Sequence, residues 1–114
     1  MEQPGQTCYN GTMRRLYEPA CADIALTVVL QALSDPNRLE IVRLLARGGE
    51  QRCGELDVPL AKSTLSHHLK VLREAGVIRT RVEGTQRFVS LRGADLDVRF
   101  PGLLRLVLEA AGPL

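Results

Sequence analysis

The sequence predicts a mainly α-helical domain with one β-hairpin, in the order α-α-α-α-β-β-α. Two segments predict this fold most directly. Residues 63–75 place apolar side chains at helical spacing and are followed by a glycine, which suits the end of a helix. Residues 77–91 consist of two β-branched runs around the turn-forming Glu83-Gly84-Thr85. A helix followed directly by a basic hairpin is the layout of a winged helix-turn-helix.

Residues that start or end helices predict the elements before residue 63. A first helix is predicted over residues 19–33, because it starts with a proline and continues with spaced apolar side chains. Residues 34–36 (Ser-Asp-Pro) supply a capping side chain and a proline for the first turn of a second helix, which ends at the glycine pair 48–49. Residues 52–57 form a short third helix at most.

The helix predicted over residues 63–75 has two different sides. Leu65, Leu69 and Leu72 are spaced i, i+4 and i+7 and predict a buried stripe. The other side has polar groups, mostly of modest length: Ser63, Ser66, His67, Lys70 and Glu74. Hydroxyl, imidazole and ammonium donors suit base edges and phosphates in the DNA major groove. An ordinary solvated helix face is the alternative, although such a face more often alternates Glu and Lys.

Positive charge is concentrated on the same unit. The whole chain has a formal net charge of +2, whereas residues 62–92 contain seven Lys or Arg and two Glu, a net charge of +5. Three of the arginines, Arg79, Arg81 and Arg87, are predicted on or near the tip of the hairpin. This distribution favours phosphate binding, although a solubilising surface would have a similar composition.

Length and composition predict one domain of 114 residues. Residues 1–17 are expected to form a flexible N-terminal arm, and residues 18–114 a single winged-helix DNA-binding domain. The start of the chain does not resemble a signal peptide, and the apolar stretch 24–33 is too short to span a bilayer. These features predict a cytoplasmic protein that does not associate with membranes.

The two terminal helices predict self-association. The last helix, expected over residues 101–111, has a broad aliphatic stripe, and the helix at 19–33 is also rich in apolar side chains. Both helices could instead pack on their own domain. We favour a homodimer interface, because a two-fold axis lets two helices address half-sites about one DNA turn apart.

Three segments together resemble the ArsR/SmtB family of bacterial winged-helix repressors. They are residues 32–41 (ALSDPNRLEI), 63–78 (STLSHHLKVLREAGVI) and 81–91 (RVEGTQRFVSL), which occur in the order typical of the family. The resemblance implies a homodimer that binds double-stranded operator DNA and releases it when an inducer binds. It also assigns DNA contacts by position. These are Ser63, Thr64, Ser66, His67 and His68 in the groove, Lys70 on phosphate, and Arg81, Thr85, Gln86 and Arg87 on the wing.

Two further basic residues, Lys62 and Arg73, complete the predicted DNA-binding set. Between the two histidines, His67 is expected to reach a base edge. The position of His68 nearer the buried stripe favours packing or a phosphate contact instead.

The cysteines leave the inducer open. The resemblance implies that arsenic sensors of the family use a Cys-x-Cys pair before an acidic-Leu step, but only Cys53 precedes Glu55-Leu56 here. It also implies that zinc sensors use Asp and His pairs on the last helix, but residues 95–114 contain no histidine. The resemblance also implies that Cys8, Cys21 and Cys53 could form a three-thiolate site between subunits, as in some relatives, for As(III) or another thiophilic metal ion. The same thiols could act as a redox switch, or they could be inert.

Other function classes fit the sequence less well. His67 and His68 are the only histidines and are not accompanied by a paired carboxylate or cysteine, so the sequence predicts no enzyme. A winged helix used for protein contacts, or a DNA-binding protein without thiol-based sensing, remains the alternative.

Overall fold

The structure, a computed structural model, describes residues 16–112. This range contains five α-helices and a small antiparallel sheet, and the predicted winged helix-turn-helix is confirmed. The helices are α1 (Leu26–Leu33), α2 (Pro36–Gly48), α3 (Lys62–Ala75), α4 (Gly93–Arg99) and α5 (Leu103–Ala110). The strands are β1 (Gln51–Arg52), β2 (Ile78–Glu83) and β3 (Gln86–Leu91), and short 3₁₀ turns cover Cys21–Asp23 and Cys53–Glu55.

Helix α2 begins as its sequence predicts. The side-chain Oδ1 of Asp35 accepts hydrogen bonds from the backbone N–H groups of Asn37 (2.8 Å) and Arg38 (3.2 Å), and Pro36 occupies the first helical position. These bonds satisfy donors that have no partner within the helix. The two bonds also lower the pKa of Asp35, because they stabilise the carboxylate.

Helix α3 ends at Gly76, which adopts a left-handed conformation with φ of 89°. The N–H of Val77 then donates to the carbonyl of Leu72 at 3.0 Å. A side chain at this position would meet Ile24, whose Cγ1 would lie 2.7 Å from an added Cβ. The glycine therefore combines the turn with close packing of the N-terminal segment.

The sheet has the strand order β1-β3-β2. Strands β2 and β3 form the predicted hairpin, in which Ile78 pairs with Leu91 at the base and Glu83 with Gln86 at the tip. Strand β1 adds two residues to the other edge of β3. The hairpin is therefore anchored at its base and exposed at its tip, as a wing requires.

The core lies between α1, α2, α3 and the base of the sheet. Leu72 is fully buried and Leu69 nearly so, which confirms the inner side predicted for α3, whereas Leu65 is half-buried. The largest fully buried side chains are Ile24, Ile41, Leu45, Leu72, Ile78, Val29, Val42, Val77 and Val89. The apolar side of helix α3 packs into the core, and its polar side is left exposed to solvent.

The segment before α1 differs from the prediction. We expected a helix from residue 19, but the chain forms the 3₁₀ turn and an extended Ala25 before α1 begins at Leu26. The reason is a set of tertiary contacts that local periodicity does not reveal. Arg73 Nε donates to the carbonyl of Tyr17 (3.1 Å), Arg92 Nη1 donates to that of Pro19 (2.7 Å), and Ile24 is buried.

Two further expectations require correction. Helix α4 lies between the predicted hairpin and the predicted last helix, where we expected no helix. The buried Arg92 forms an ion pair with Asp95 in its first turn (2.9 Å). Arg79 does not lie near the tip of the hairpin but at its base. There it forms ion pairs with Glu18 (3.7 Å) and Asp95 (3.3 Å).

The predicted arm is described only at residues 16 and 17. No helix within residues 16–112 is long and apolar enough to cross a membrane.

Candidate nucleic-acid interface

Helix α3 exposes a continuous polar side. Its first two turns and its middle are solvent-exposed at six of the positions predicted for DNA contacts: Lys62, Ser63, Thr64, Ser66, His67 and Lys70. The polar atoms on this side are hydroxyl, imidazole and ammonium groups, and the exposed acidic residue, Glu74, lies in the last turn. This side of the helix offers hydrogen-bond donors and one imidazole, which can both donate and accept hydrogen bonds.

The two histidines of α3 have different surroundings. His67 is exposed, whereas His68 is 7% exposed and its Nδ1 lies 3.3 Å from Nη1 of Arg38 on α2. Arginine has no acceptor, so Nδ1 must accept this hydrogen bond and the ring proton must lie on Nε2. The expectation that His68 lies nearer the buried side is confirmed, and its position does not support a contact in the groove.

Arg73 also lies on the inner side of the helix. It is 8% exposed and its Nε donates to the carbonyl of Tyr17. The position follows from helix geometry, because Arg73 comes one turn after Leu69 and next to Leu72 in the buried stripe. This placement favours a structural role, in which Arg73 holds the N-terminal segment, over the predicted contact with DNA.

The tip of the hairpin exposes the remaining predicted residues. Thr85, Gln86 and Arg87 are all exposed at or next to the turn. Gln86 is held by Arg52, whose Nη1 donates to the amide oxygen at 3.1 Å. Arg87 has no ion pair with any carboxylate in residues 16–112.

Arg81 is exposed on the same hairpin but is engaged by two carboxylates. Its Nη2 lies 3.0 Å from Glu50 and its Nη1 lies 3.1 Å from Glu83, while its guanidinium stacks on Phe88 with Cζ 4.4 Å from the ring centre. These pairs raise the pKa of Arg81 and lower that of Glu50. The two wing arginines therefore differ: two carboxylates balance the charge of Arg81, whereas no carboxylate of residues 16–112 pairs with Arg87.

The polar side of α3 and the wing meet at one place. Lys62 and Ser66 of α3 and Arg87 of β3 border the same cavity between the helix and the hairpin. The basic and hydroxyl groups of the two elements therefore belong to one surface. An α-helix with this exposure fits a major groove about 12 Å wide, and a basic hairpin beside it fits the adjoining backbone.

The described range contains two of the three cysteines. Cys21 Sγ lies 3.7 Å from the carbonyl oxygen of Asp95, and both Cys21 and Cys53 are half-buried free thiols. Burial raises the pKa of Cys53, although the positive charge of Arg87 opposes this effect. Residues 16–112 bring together no group of three or more His, Cys, Asp or Glu side chains that could hold a metal ion. Cys8 lies outside the described residues.

Two residues that sequence analysis did not single out organise this surface. Arg38 positions His68, and Glu50 balances Arg81. No local pattern identifies either residue, because their partners lie about thirty residues further along the chain. Only the tertiary fold brings each pair together.

An exposed polar helix and a basic hairpin on a helical core define a winged helix-turn-helix protein of the nucleic-acid-binding class. The profile of the helix-turn-helix domain family matches residues 33–81. The uncharacterized transcriptional regulator YceK of Bacillus subtilis is 42% identical over 79 residues, 67% of this chain and 79% of the relative. The arsenical resistance operon repressor of Staphylococcus xylosus is 38% identical over 73 residues, 63% of this chain and 70% of the relative.

A solved structure agrees with these sequence matches. The ArsR-like transcriptional regulator from Rhodococcus sp. RHA1 has a TM-score of 0.60 and 28% identity, covering 75% of this chain and 82% of that one. The chain belongs to the ArsR/SmtB family of winged-helix transcriptional repressors. DNA binding follows from membership of this family.

Proposed function

We propose that the protein is a homodimer that binds a two-fold symmetric operator through α3 and the wing, and that an inducer releases it. The observation that carries the proposal is the continuous exposed polar side of α3 beside an arginine with no ion pair among the described residues. In this arrangement Ser63, Thr64, Ser66 and His67 face base edges. Lys62 and Lys70 reach phosphates, as do Thr85, Gln86 and Arg87 of the wing.

The exposed apolar side chains support the dimer. On α1 the exposed fractions are 43% for Leu26, 45% for Val28 and 44% for Leu30, and on α5 Leu106 is 63% exposed. Apolar side chains at these positions gain about 25 cal/mol per Å² when they are removed from water. A two-fold interface formed by α1 and α5 would cover them and hold two copies of α3 for adjacent major grooves.

A binding experiment tests the DNA role. Fluorescence anisotropy of a labelled duplex from the region upstream of the coding sequence should show saturable binding, with a random duplex of equal length as the control. Specific binding should exceed random binding by about 10³-fold or more at physiological salt. Equal affinity for both duplexes would contradict an operator-specific repressor and favour an architectural or protein-binding winged helix.

Thiol-based induction is a second part of the proposal that the same assay tests. Because residues 16–112 of one protomer contain no suitable ligand group, a metalloid site would need Cys8, which lies outside these residues, or a cysteine of the second subunit. Release of the reduced complex at near-stoichiometric arsenite would support such a site, and mutation of Cys53 to Ser should then abolish release. A complex that ignores arsenite would exclude metalloid induction while leaving DNA binding intact.

We also propose that the protein is not an enzyme. The two histidines lie on different sides of α3, and His68 is engaged by Arg38. No hydrogen bond within residues 16–112 joins either ring to a hydroxyl, thiol or carboxylate group. Their positions suit recognition and packing.

A further inference from the structure

We propose that the cavity between α3 and the wing binds a small amphiphilic anion, an organic carboxylate with an aliphatic or aromatic body, and that its occupancy competes with DNA. The competition rests on the DNA-binding role proposed above. We call this space the wing cavity. It has a volume of about 320 Å³ and lies between the 53–60 segment, the first half of α3 and the sheet.

One part of the wall of the wing cavity is apolar. Leu56, Val58, Leu65, Leu69 and Val89 line it from three different elements. Leu65 and Val58 are only half-buried, so part of this apolar surface faces the cavity and not the core. The volume is at the lower end of the range of about 300–1,000 Å³ that small-molecule sites occupy. A short hydrocarbon body matches this space.

Among residues 16–112, the charged side chains at the cavity are all positive. Lys62, Arg73 and Arg87 border it, and no Asp or Glu of this range does. Lys62 and Arg87 form no ion pair with any carboxylate within residues 16–112, whereas Arg52 and Arg81 nearby are paired. Arg73 donates to Tyr17 and lies 4.0 Å from Glu74.

Arg87 and the thiol of Cys53 both line the cavity. The positive charge of Arg87 opposes the rise of the Cys53 pKa that burial causes. An anionic group next to Arg87 and Lys62 would gain charge-assisted hydrogen bonds that neither residue makes in the described structure.

Competition with DNA follows from shared residues. Lys62, Ser66 and Arg87 border the cavity and also belong to the proposed DNA-binding surface. A carboxylate bound there would occupy donors that phosphates need and would reduce the local positive charge. By linkage, DNA would weaken binding of the anion by the same factor.

Ligand binding is tested first without DNA. The fluorescent probe 8-anilinonaphthalene-1-sulfonate, an apolar anion, is titrated into the full chain, and decanoate is then added to displace it. We expect saturable binding that decanoate reverses. The Val58→Phe variant fills the cavity and the Arg87→Gln variant removes a charge. Each variant should weaken probe binding about tenfold. For Arg87→Gln, this is the effect of losing one hydrogen bond to a charged group.

Matched controls identify where the probe binds. Val98→Phe makes the same change at an exposed position of α4, and Arg105→Gln removes a charge on α5. Both variants should bind the probe as the wild type does. If Val58→Phe and Arg87→Gln also bind it with unchanged affinity, the probe lies on another apolar surface and the inference is overturned. Arg87 is exposed, so its variant keeps the test valid if Val58→Phe does not fold.

The regulatory part has its own measurement. Decanoate added to a preformed complex with the labelled upstream duplex should lower the anisotropy, and the Val58→Phe complex should need about tenfold more decanoate. Displacement of the probe without release of DNA would overturn the competition. Absence of DNA binding by the wild type would contradict the proposed function, whereas the probe titration would still decide whether the cavity binds an anion.

Discussion

Arg38 of α2 donates a hydrogen bond from Nη1 to Nδ1 of His68 on α3, over a distance of 3.3 Å. Arg38 is itself fixed, because its Nε donates to the carbonyl of Ala32 at 2.7 Å. The end of α1, the start of α2 and the middle of α3 are therefore joined through one guanidinium. This contact sets the orientation of the side of α3 that points outward.

The two histidines should separate recognition from stability. His67→Ala should weaken operator binding by about 1–3 kcal/mol if the side chain contacts a base edge, and it should leave unfolding unchanged. His68→Ala should lower the free energy of unfolding by about 1–3 kcal/mol, because it removes a buried side chain and the acceptor of Arg38. Urea unfolding and anisotropy on the same variants measure both effects. Equal loss of stability in the two variants would contradict this division.

The wing arginines should differ in their salt dependence. Arg87→Gln should reduce the slope of log affinity against log salt by about one, because one phosphate contact is lost. Arg81→Gln should reduce it less, since Glu50 and Glu83 already balance that charge. Arg105→Gln on α5 serves as the control and should leave the slope unchanged. A larger change of the salt slope in Arg81→Gln than in Arg87→Gln would contradict the proposal that Arg87 makes the phosphate contact.

The dimer interface can be tested at exposed apolar positions. Leu30→Glu or Leu106→Glu should convert the dimer to a monomer of half the mass in sedimentation equilibrium, because a charge would be buried without a partner. Val82→Glu, at a similarly exposed position on the wing, should remain dimeric. Leu104 and Val107 are less suitable, since both pack partly on the core of their own domain. Persistence of the dimer in both α1 and α5 variants would place the interface elsewhere.

Two glycines with left-handed backbones should respond differently to alanine. Gly76→Ala should destabilise the fold by about 2–4 kcal/mol, because the new Cβ would be strained and would clash with Ile24. Gly84→Ala, at the hairpin turn with φ of 65°, should lose only about 1 kcal/mol, since no atom lies within 4 Å of its Cβ. Urea unfolding compares the two directly, and similar losses would show that packing against Ile24 is unimportant.

The thiol of Cys53 should react slowly at neutral pH. Burial raises its pKa, so the thiolate that iodoacetamide attacks should appear only above the usual range near 8.5. Arg87→Gln should raise the pKa further, because it removes the opposing positive charge. Alkylation followed by peptide mass spectrometry at several pH values resolves Cys53 from the other cysteines. Rapid alkylation at pH 7 would contradict the burial effect.

The same shift has a consequence for stability. A thiol whose pKa is higher in the folded state than in the unfolded state contributes to the free energy of unfolding. This contribution is fully present below the pKa of the unfolded state and is lost as the pH rises through the pKa of the folded state. Cys53 should therefore favour unfolding above the usual thiol range, and Cys53→Ser should reduce this alkaline loss.

Local sequence signals were sufficient for most of the fold. The Asp35 cap, the Gly76 terminus and the hairpin turn at Gly84 were predictable because each depends on a few adjacent residues. The start of α1 and the existence of α4 were not, because both depend on arginines that reach across the fold. The same limit applied to the interface. Exposure of His67 followed from helical spacing, whereas the inward position of Arg73 and the pairing of Arg81 did not.

The pairing of Arg81 with Glu50 and Glu83 has a consequence for how such a repressor finds its site. A chromosome offers about 10⁶–10⁹ competing sequences, and each additional phosphate contact strengthens binding to all of them. An arginine that must first leave two carboxylates contributes little during brief encounters with random DNA. It can still be recruited where a well-fitted groove holds the wing in place. The acidic partners would thus shorten the dwell time on wrong sequences and speed the search for the operator.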